Sequence, residues 1–351
     1  MVLVVLTTRG RLIPYGMRVS STRKRRSSSG LTTTVLDAAG AHMGGAGRLL
    51  AELQRYLTDS GRQDVLVLGV GRSLTPAWLG CRELRAVSRP SRAVVALNNV
   101  SFMRAGRRRT VLLGNALHFP LSGEEHLLSP GTARRIAVEA RVVRAALRRA
   151  DLIVVPASSM AERVGHWVPR LRSPIIVRAH PVSARKVVAE RVPGRIVCPV
   201  LMAPYKQMGR RLRLLIQATS TLRAEGMPIE IVVTATDDEL RQEEVPAEAV
   251  TTVGRLGTDQ VERLLATAQV VYYPTEIESF GYPLAEARAN GQPVLAADND
   301  HNAEVAGGAL MGFAPDADSL EQAVRRALSA VVLPLTANDA NAYFDSLLEP
   351  A

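Results

Sequence analysis

Two glutamates eight positions apart, Glu278 and Glu286, flank the run Glu-Ser-Phe-Gly-Tyr-Pro and a following Glu-Ala. The apolar run before them ends a strand, and the residues after Pro283 start a helix. Pro283 suits a first helical position, while Tyr282 before it is a poor side-chain cap. The N–H groups near Tyr282 to Ala285 are therefore expected to lack an internal partner. Gly281 lets a ligand approach the backbone, and a helix start with unpaired donors favours an anion such as phosphate. Carboxylates on either side accept paired hydrogen bonds from vicinal hydroxyls, which a sugar or a ribose offers. A first-turn glutamate also complements a helix dipole with no ligand at all, so neither residue is decisive by itself.

Such a site needs a sheet whose strands all end on one side. Strands are expected at Arg195–Pro199, Ile229–Thr234, Gln269–Tyr273 and Pro293–Ala297, alternating with helices near Arg210–Ala224, Asp259–Ala266, Pro283–Asn290 and Ser319–Leu328. That alternation predicts a parallel sheet with a crevice at its carboxyl edge. A similar series occupies the first half. The strand Thr33–Ala38 leads through a glycine loop, with Gly44 and Gly45, into a helix from Ala46 to Thr58 whose Ala46, Leu49, Leu50, Leu53 and Leu57 mark one buried face. Short apolar runs at 65–68, 93–97, 111–113, 152–155 and 175–177 predict further buried parallel strands. The glycines do not make a GxGxxG pattern, because position 50 is Leu, which disfavours a dinucleotide fingerprint; the loop suits close phosphate approach or simply a tight turn. The reading is an α/β chain of two doubly wound, Rossmann-like domains facing across a cleft. Its parts are a basic extension (1–32), an N-terminal acceptor-side domain (33–178), a linker (179–194), a C-terminal domain (195–335) and a tail or helix (336–351) that returns to the N-terminal domain.

Charge divides the halves. Residues 1–194 carry 32 Lys and Arg against 11 Asp and Glu, whereas residues 195–351 carry 12 against 22. A basic first half attracts phosphates, acidic glycans or an anionic membrane surface, with nucleic acid the less favoured partner. Arg134, Arg141, Arg144 and Arg148 form a stripe opposite Ile136, Ala140, Val143 and Leu147, read as a solvated face or as a membrane-docking one. Two distant cysteines and no clustered Cys/His spacing suggest neither a zinc site nor a disulfide framework. No run of about 18 apolar residues exists, so a cytoplasmic protein, at most peripheral to the inner face of a membrane, is expected.

The segment from Glu278 through Glu286, a Glu, seven residues, Glu motif followed by Asn-Gly-Gln-Pro-Val, closely resembles glycosyltransferase family 4. The resemblance extends to Asp298 and Glu304-Val305, to Gly254-Arg255-Leu256, and to weaker echoes at Gly44-Gly45-Ala46-Gly47-Arg48 and Val154–Ser158. It implies the GT-B fold and a retaining, metal-independent transferase. By that resemblance Glu278 contacts the transferred sugar near the reacting carbon and Glu286 grips the ribose. The backbone of Phe280, Gly281, Tyr282 and Leu284 holds sugar hydroxyls and phosphate oxygens, and Gly44 and Gly45 border the diphosphate from across the cleft. Lys206 matches a lysine that neutralises the leaving diphosphate. The arginine that precedes it in the family falls at Leu201 here, so Arg210 or Arg211 has to replace it. Asn115 and His118 lie where the family places polar groups facing the acceptor. Asp298-Asn299-Asp300 is read as a strand end and not as a metal-binding DxD, and no cofactor is expected.

The resulting expectation is transfer of a hexosyl or pentosyl unit from a nucleoside diphosphate sugar to a hydroxyl of a glycan, lipid-linked or small-molecule acceptor, in polysaccharide, glycolipid or glycoconjugate biosynthesis. The alternatives are a nucleotide-sugar epimerase or phosphorylase on the same fold, or a basic membrane- or nucleic-acid-binding protein.

Overall fold

The structure is a computed structural model that describes residues 33–41, 44–88, 91–124, 127–182, 189–199, 202–335 and 339–348. The expected basic extension (1–32), position 201, the middle of the expected linker and both ends of the expected tail lie outside the described residues.

The chain runs β1 (Thr33–Asp37), α1 (Gly44–Ser60), β2 (Val65–Leu68), α2 (Pro76–Val87), β3 (Ser91–Ala96), β4 (Arg108–Leu112), α3 (Pro130–Leu147), β5 (Leu152–Val155), α4 (Ser158–Trp167) and β6 (Ile175–Val177). These strands form one parallel sheet in the order β2-β1-β3-β4-β5-β6. There follow β7 (Arg195–Cys198), α5 (Met208–Ala224), β8 (Glu230–Val233), α6 (Asp237–Gln242), β9 (Thr251–Thr252), α7 (Thr258–Ala266), β10 (Val270–Tyr272), α8 (Tyr282–Ala289), β11 (Val294–Ala297), α9 (Asp300–Ala306), β12 (Leu310–Phe313) and α10 (Ala317–Ser329). The second sheet, also parallel, has the order β12-β11-β10-β7-β8-β9. A last helix, α11 (Ala340–Leu348), lies against α1: Tyr56 and Phe344 rings pack 5.3 Å apart and Thr34 donates to the Leu348 carbonyl at 3.5 Å.

Central strands are buried on both faces, as their unbroken apolar runs require. Residues 175–177 depart from the expected buried strand: β6 is a sheet edge, and Ile176 and Val177 are exposed. The two-residue β9 and the four-residue β12 were not foreseen: β9 is too short for a periodicity signal, and Gly312 interrupts the apolar run of β12. Helix α1 begins at Gly44, two residues before the apolar stripe, and buries Leu49, Leu50 and Leu53. Each such leucine is worth about 1.5–3 kcal/mol relative to exposure. Their cluster reaches across both domains to Phe280, Tyr282 and Leu284, so α1 is cemented to the start of α8.

In the second sheet β7 is flanked by β8 on one side and β10 on the other, so the direction of chain progression reverses between β7 and β10. A crevice opens beyond the carboxyl ends of strands at such a reversal. The loops that border it carry Lys206 after β7 and Glu278 after β10.

Candidate active site

Lys206 closes a short 3₁₀ turn, Pro204–Lys206, just before α5. Its Nζ lies 3.6 Å from Glu278 Oε1, and the other oxygen of Glu278 accepts a 2.8 Å hydrogen bond from the Tyr273 hydroxyl. Tyr273 is buried at the end of β10, where desolvation and the neighbouring carboxylate hold its phenol well above the usual range. It therefore stays a neutral donor. Glu278 is thus held from two sides by groups that the switch-point loops supply.

Of the two arginines expected near Lys206, only Arg211 is at the site. It is buried, donates to the Lys206 carbonyl at 3.3 Å and pairs with Glu276, while its own carbonyl accepts from Tyr272 at 2.9 Å. Arg210, one position earlier on α5, is exposed.

The start of α8 differs from the expected geometry in two ways. Gly281, at φ +80°, is the cap residue, so Tyr282 and not Pro283 opens the helix; no side chain caps it. The Leu284 and Ala285 N–H groups turn back to the Gly281 carbonyl at 2.9 and 3.4 Å, which removes two of the donors expected to be free. Glu286 is accordingly the fifth helical residue and lies outside the first turn. It is buried and paired with Arg48 of α1, a residue of the other domain. Desolvation pulls the Arg48 guanidinium below its usual range. In this structure, then, the carboxylate expected at a ribose faces a protein cation.

Phe280 and Tyr282 point inward. Tyr282 stacks on His180 at 5.9 Å, Phe280 meets both rings edge-on, and His180 Nδ1 lies 3.0 Å from the Tyr343 hydroxyl of α11. A Cβ at Gly45 would lie 3.3 Å from Tyr282 Cδ2, so the start of α1 meets an aromatic ring of the opposite domain there; Gly44, at φ +58°, has open space beside it. What approaches Gly45 closely is protein.

Further contacts join the domains around this loop. Ser279 Oγ donates to the Gly114 carbonyl at 2.9 Å, placing the loop beside Asn115. Asn115 caps the 3₁₀ turn Ala116–His118 through the Leu117 N–H at 3.1 Å, and its amide lies 3.3 Å from His118 Nε2. His118 is buried, which lowers its basicity, with Glu139 at 3.7 Å. The structure ties its ring to Asn115 and Glu139. Arg144, expected in a solvated stripe, instead donates twice to the His118 carbonyl, at 3.0 and 2.6 Å, and covers the Trp167 ring at 3.5 Å. Arg134, Arg141 and Arg148 are exposed.

Sequence reasoning missed Tyr273, Ser159 and His301, and met Arg48 and Ser158 only inside the weaker echoes, with no role assigned to either. Helix α4 has no side-chain cap of its own, and Glu304 of α9 supplies one from the other domain: both its oxygens lie 3.0 Å from the Ser158 N–H. Next to it Ser159 Oγ lies 2.8 Å from His301 Nδ1. These pairs are 146 and 142 residues apart, and no spacing rule reaches that far. Asn299 caps α9 through the Asn302 N–H at 2.8 Å, so the middle residue of Asp298-Asn299-Asp300 has a helix-starting role. Among the described residues no group of three or more His, Cys, Asp or Glu side chains could hold a metal ion.

Residues 200–330 match the family model described as glycosyl transferases group 1. No curated protein matches the sequence. Among solved structures, the OtsA apo structure superposes with a TM-score of 0.60 at 10% identity, covering 91% of this chain and 100% of that one. The UDP-forming α,α-trehalose-phosphate synthase of Burkholderia xenovorans, solved with glucose-6-phosphate, gives 0.59 at 11% identity, covering 86% and 93%. The fold is that of GT-B glycosyltransferases. The chain spans only 48% of S. aureus TarM, covering 66% of itself, at 11% identity and a TM-score of 0.49.

Proposed function

We propose that this chain transfers a glycosyl unit, with retention of configuration, from a nucleoside diphosphate sugar to an acceptor hydroxyl. The observation that carries the reading is Glu278 held between Lys206 and Tyr273 at the switch point of the second sheet, one residue from a loop hydrogen-bonded to the opposite domain. The group 1 match over residues 200–330 supports it.

In this reading Glu278 orients the sugar through its hydroxyls. Lys206 and Arg211 stabilise the diphosphate as the bond from the anomeric carbon to the phosphate oxygen breaks. The acceptor oxygen bonds to the same face of that carbon, and its proton passes to the departing phosphate, so no carboxylate nucleophile and no metal is required. Glu286 takes the ribose hydroxyls once Arg48 yields it. Asn115 and His118 line the acceptor side, where glycan, lipid-linked and small acceptors are the candidates.

Glu278→Ala should lower kcat by about 10²–10³-fold, the scale of losing one preorganised electrostatic contact, with an unchanged circular dichroism spectrum. Wild-type turnover in that variant removes Glu278 from the reaction. UDP sugars come first in a donor panel that also holds GDP, dTDP and ADP sugars, because one structural neighbour is a UDP-forming synthase. A donor at 100 times its Kd stabilises the fold by about 2.7 kcal/mol, readable as a thermal shift. A panel with no shift and no turnover overturns the assignment.

A peripheral contact with anionic membrane has its own observation. Val138 and Val142 are 60% and 48% exposed on α3, among exposed Arg134, Arg135, Arg141 and Arg148. Among the described residues no helix is long and apolar enough to cross a membrane. Co-sedimentation with phosphatidylserine vesicles, weakened by added salt and by Val138→Asp with Val142→Asp, is the expected result; equal sedimentation of the double variant refutes it.

A further inference from the structure

His301 lies between the Glu278 loop and the opposite domain. It is the second residue of α9, and its Nδ1 lies 2.8 Å from Ser159 Oγ on α4. Its Nε2 is buried without a hydrogen-bond partner among the described residues, and the Phe280 carbonyl lies near the ring. The charged side chains facing the ring are Glu278 from the loop, Glu304 from its own helix and Arg163 from α4.

Burial keeps this imidazole less basic than usual, so at neutral pH it carries one proton. A neutral ring has one donor and one acceptor nitrogen. A proton on Nδ1 would leave the buried Nε2 lone pair with a carbonyl oxygen nearby and no donor. A proton on Nε2 points a donor at that carbonyl and lets Nδ1 accept the Ser159 hydroxyl hydrogen. The surroundings select this second tautomer. An apolar side chain of similar volume would fill the space without linking anything.

We propose that His301 is a positioning residue for the Glu278 loop: its ring joins Ser159 of the N-terminal domain to the Phe280 main chain, two residues past Glu278, so that Glu278 is correctly set against Lys206 only while the two domains are docked. The role rests on the glycosyltransferase reading and deepens it. It also implies an acid limb in the rate. When the ring gains its second proton, Nδ1 can no longer accept from Ser159, and the new cation competes with Lys206 for Glu278.

The test uses the full chain and the donor found in the nucleotide-sugar panel. Values of kcat and KM are measured from pH 5 to 8 for wild type, His301→Ala, His301→Gln and Ser159→Ala, each checked for folding by circular dichroism. His301→Ala should lose about tenfold or more in kcat with a smaller change in donor KM, since the loss is one of alignment. His301→Gln, whose amide N–H can reach toward the same carbonyl, should recover part of that kcat and lack the acid limb. Ser159→Ala should show a smaller loss that does not add to that of His301→Ala, and it carries the test if the histidine variants fail to fold. Wild-type kcat in His301→Ala and Ser159→Ala, or an acid limb unchanged in His301→Gln, overturns the positioning role while leaving the enzyme assignment intact. A wild type that neither binds nor turns over any activated sugar overturns the assignment itself, and this role with it.

Discussion

Asp37, at the carboxyl end of β1, is completely buried together with Arg82 of α2, and every neighbour accounts for part of that burial. Arg82 Nη1 and the Asn98 amide reach one oxygen of Asp37 at 2.5 and 2.7 Å; the Trp78 indole and the Ala39 N–H reach the other at 3.0 and 3.1 Å. Arg82 Nη2 donates to the Val100 and Ser101 carbonyls and Nη1 also to Asn98 Oδ1 at 3.2 Å, while Nε has no hydrogen-bond partner among the described residues. An ion pair this deep gains little over apolar packing, but breaking it strands a charge. Arg82→Met is expected to cost about 3–5 kcal/mol in urea denaturation at pH 7, whereas Asp37→Asn with Arg82→Met should cost clearly less than the two single changes together. Additive losses would mean that the pair does not act as a unit. The spacing of Glu278 and Glu286 was legible because one motif fixes it within a single βα unit, and the place of Lys206 after β7 because the resemblance supplied it. Arg48, His301 and the Asp37 network were not, because each takes its meaning from a partner on a distant element.

Among the elements, α4 shows how one domain completes another. Among the described residues its first turn is capped by Glu304 across the cleft, so the order of that turn depends on docking. Glu304→Ala should destabilise by about 0.5–2 kcal/mol, the range for losing a cap, and should speed amide exchange at Ser158 and Ser159 more than elsewhere in α4. Uniform exchange through the helix would show that the cap is dispensable. The βα alternation, and with it the placing of Glu278 at a carboxyl edge, followed from apolar runs and helical periodicity. Element ends did not follow. The uncapped start of α8 shifted by one residue because Gly281 adopts a left-handed conformation, which a sequence permits but does not dictate. The edges of the two sheets read unevenly: β2 and β6 stood out as apolar runs, although β6 proved exposed, whereas β9 is too short and β12 too interrupted by Gly312 to show one.

At the scale of the molecule, the aromatic cluster of His180, Phe280, Tyr282 and Tyr343 ties the linker, the α8 start and the last helix together. His180 is buried, and desolvation pulls its pKa down to about 3. The unfolded chain binds a proton near pH 6.5 that the folded chain refuses. Stability from this group is therefore complete above about pH 6.5 and falls by about 1.4 kcal/mol per pH unit between there and the folded pKa. His180→Phe should remove that part of the slope between pH 6.5 and 5 in urea titrations, and an identical slope would assign it to other groups. Because α11 lies on α1, the polypeptide passes between the halves twice, once before β7 and again after α10. Two passages constrain motion as a pair of hinge pins constrains a door: the halves remain free to rock apart about the line through both, but twisting about any other axis would have to stretch one strand of chain or the other.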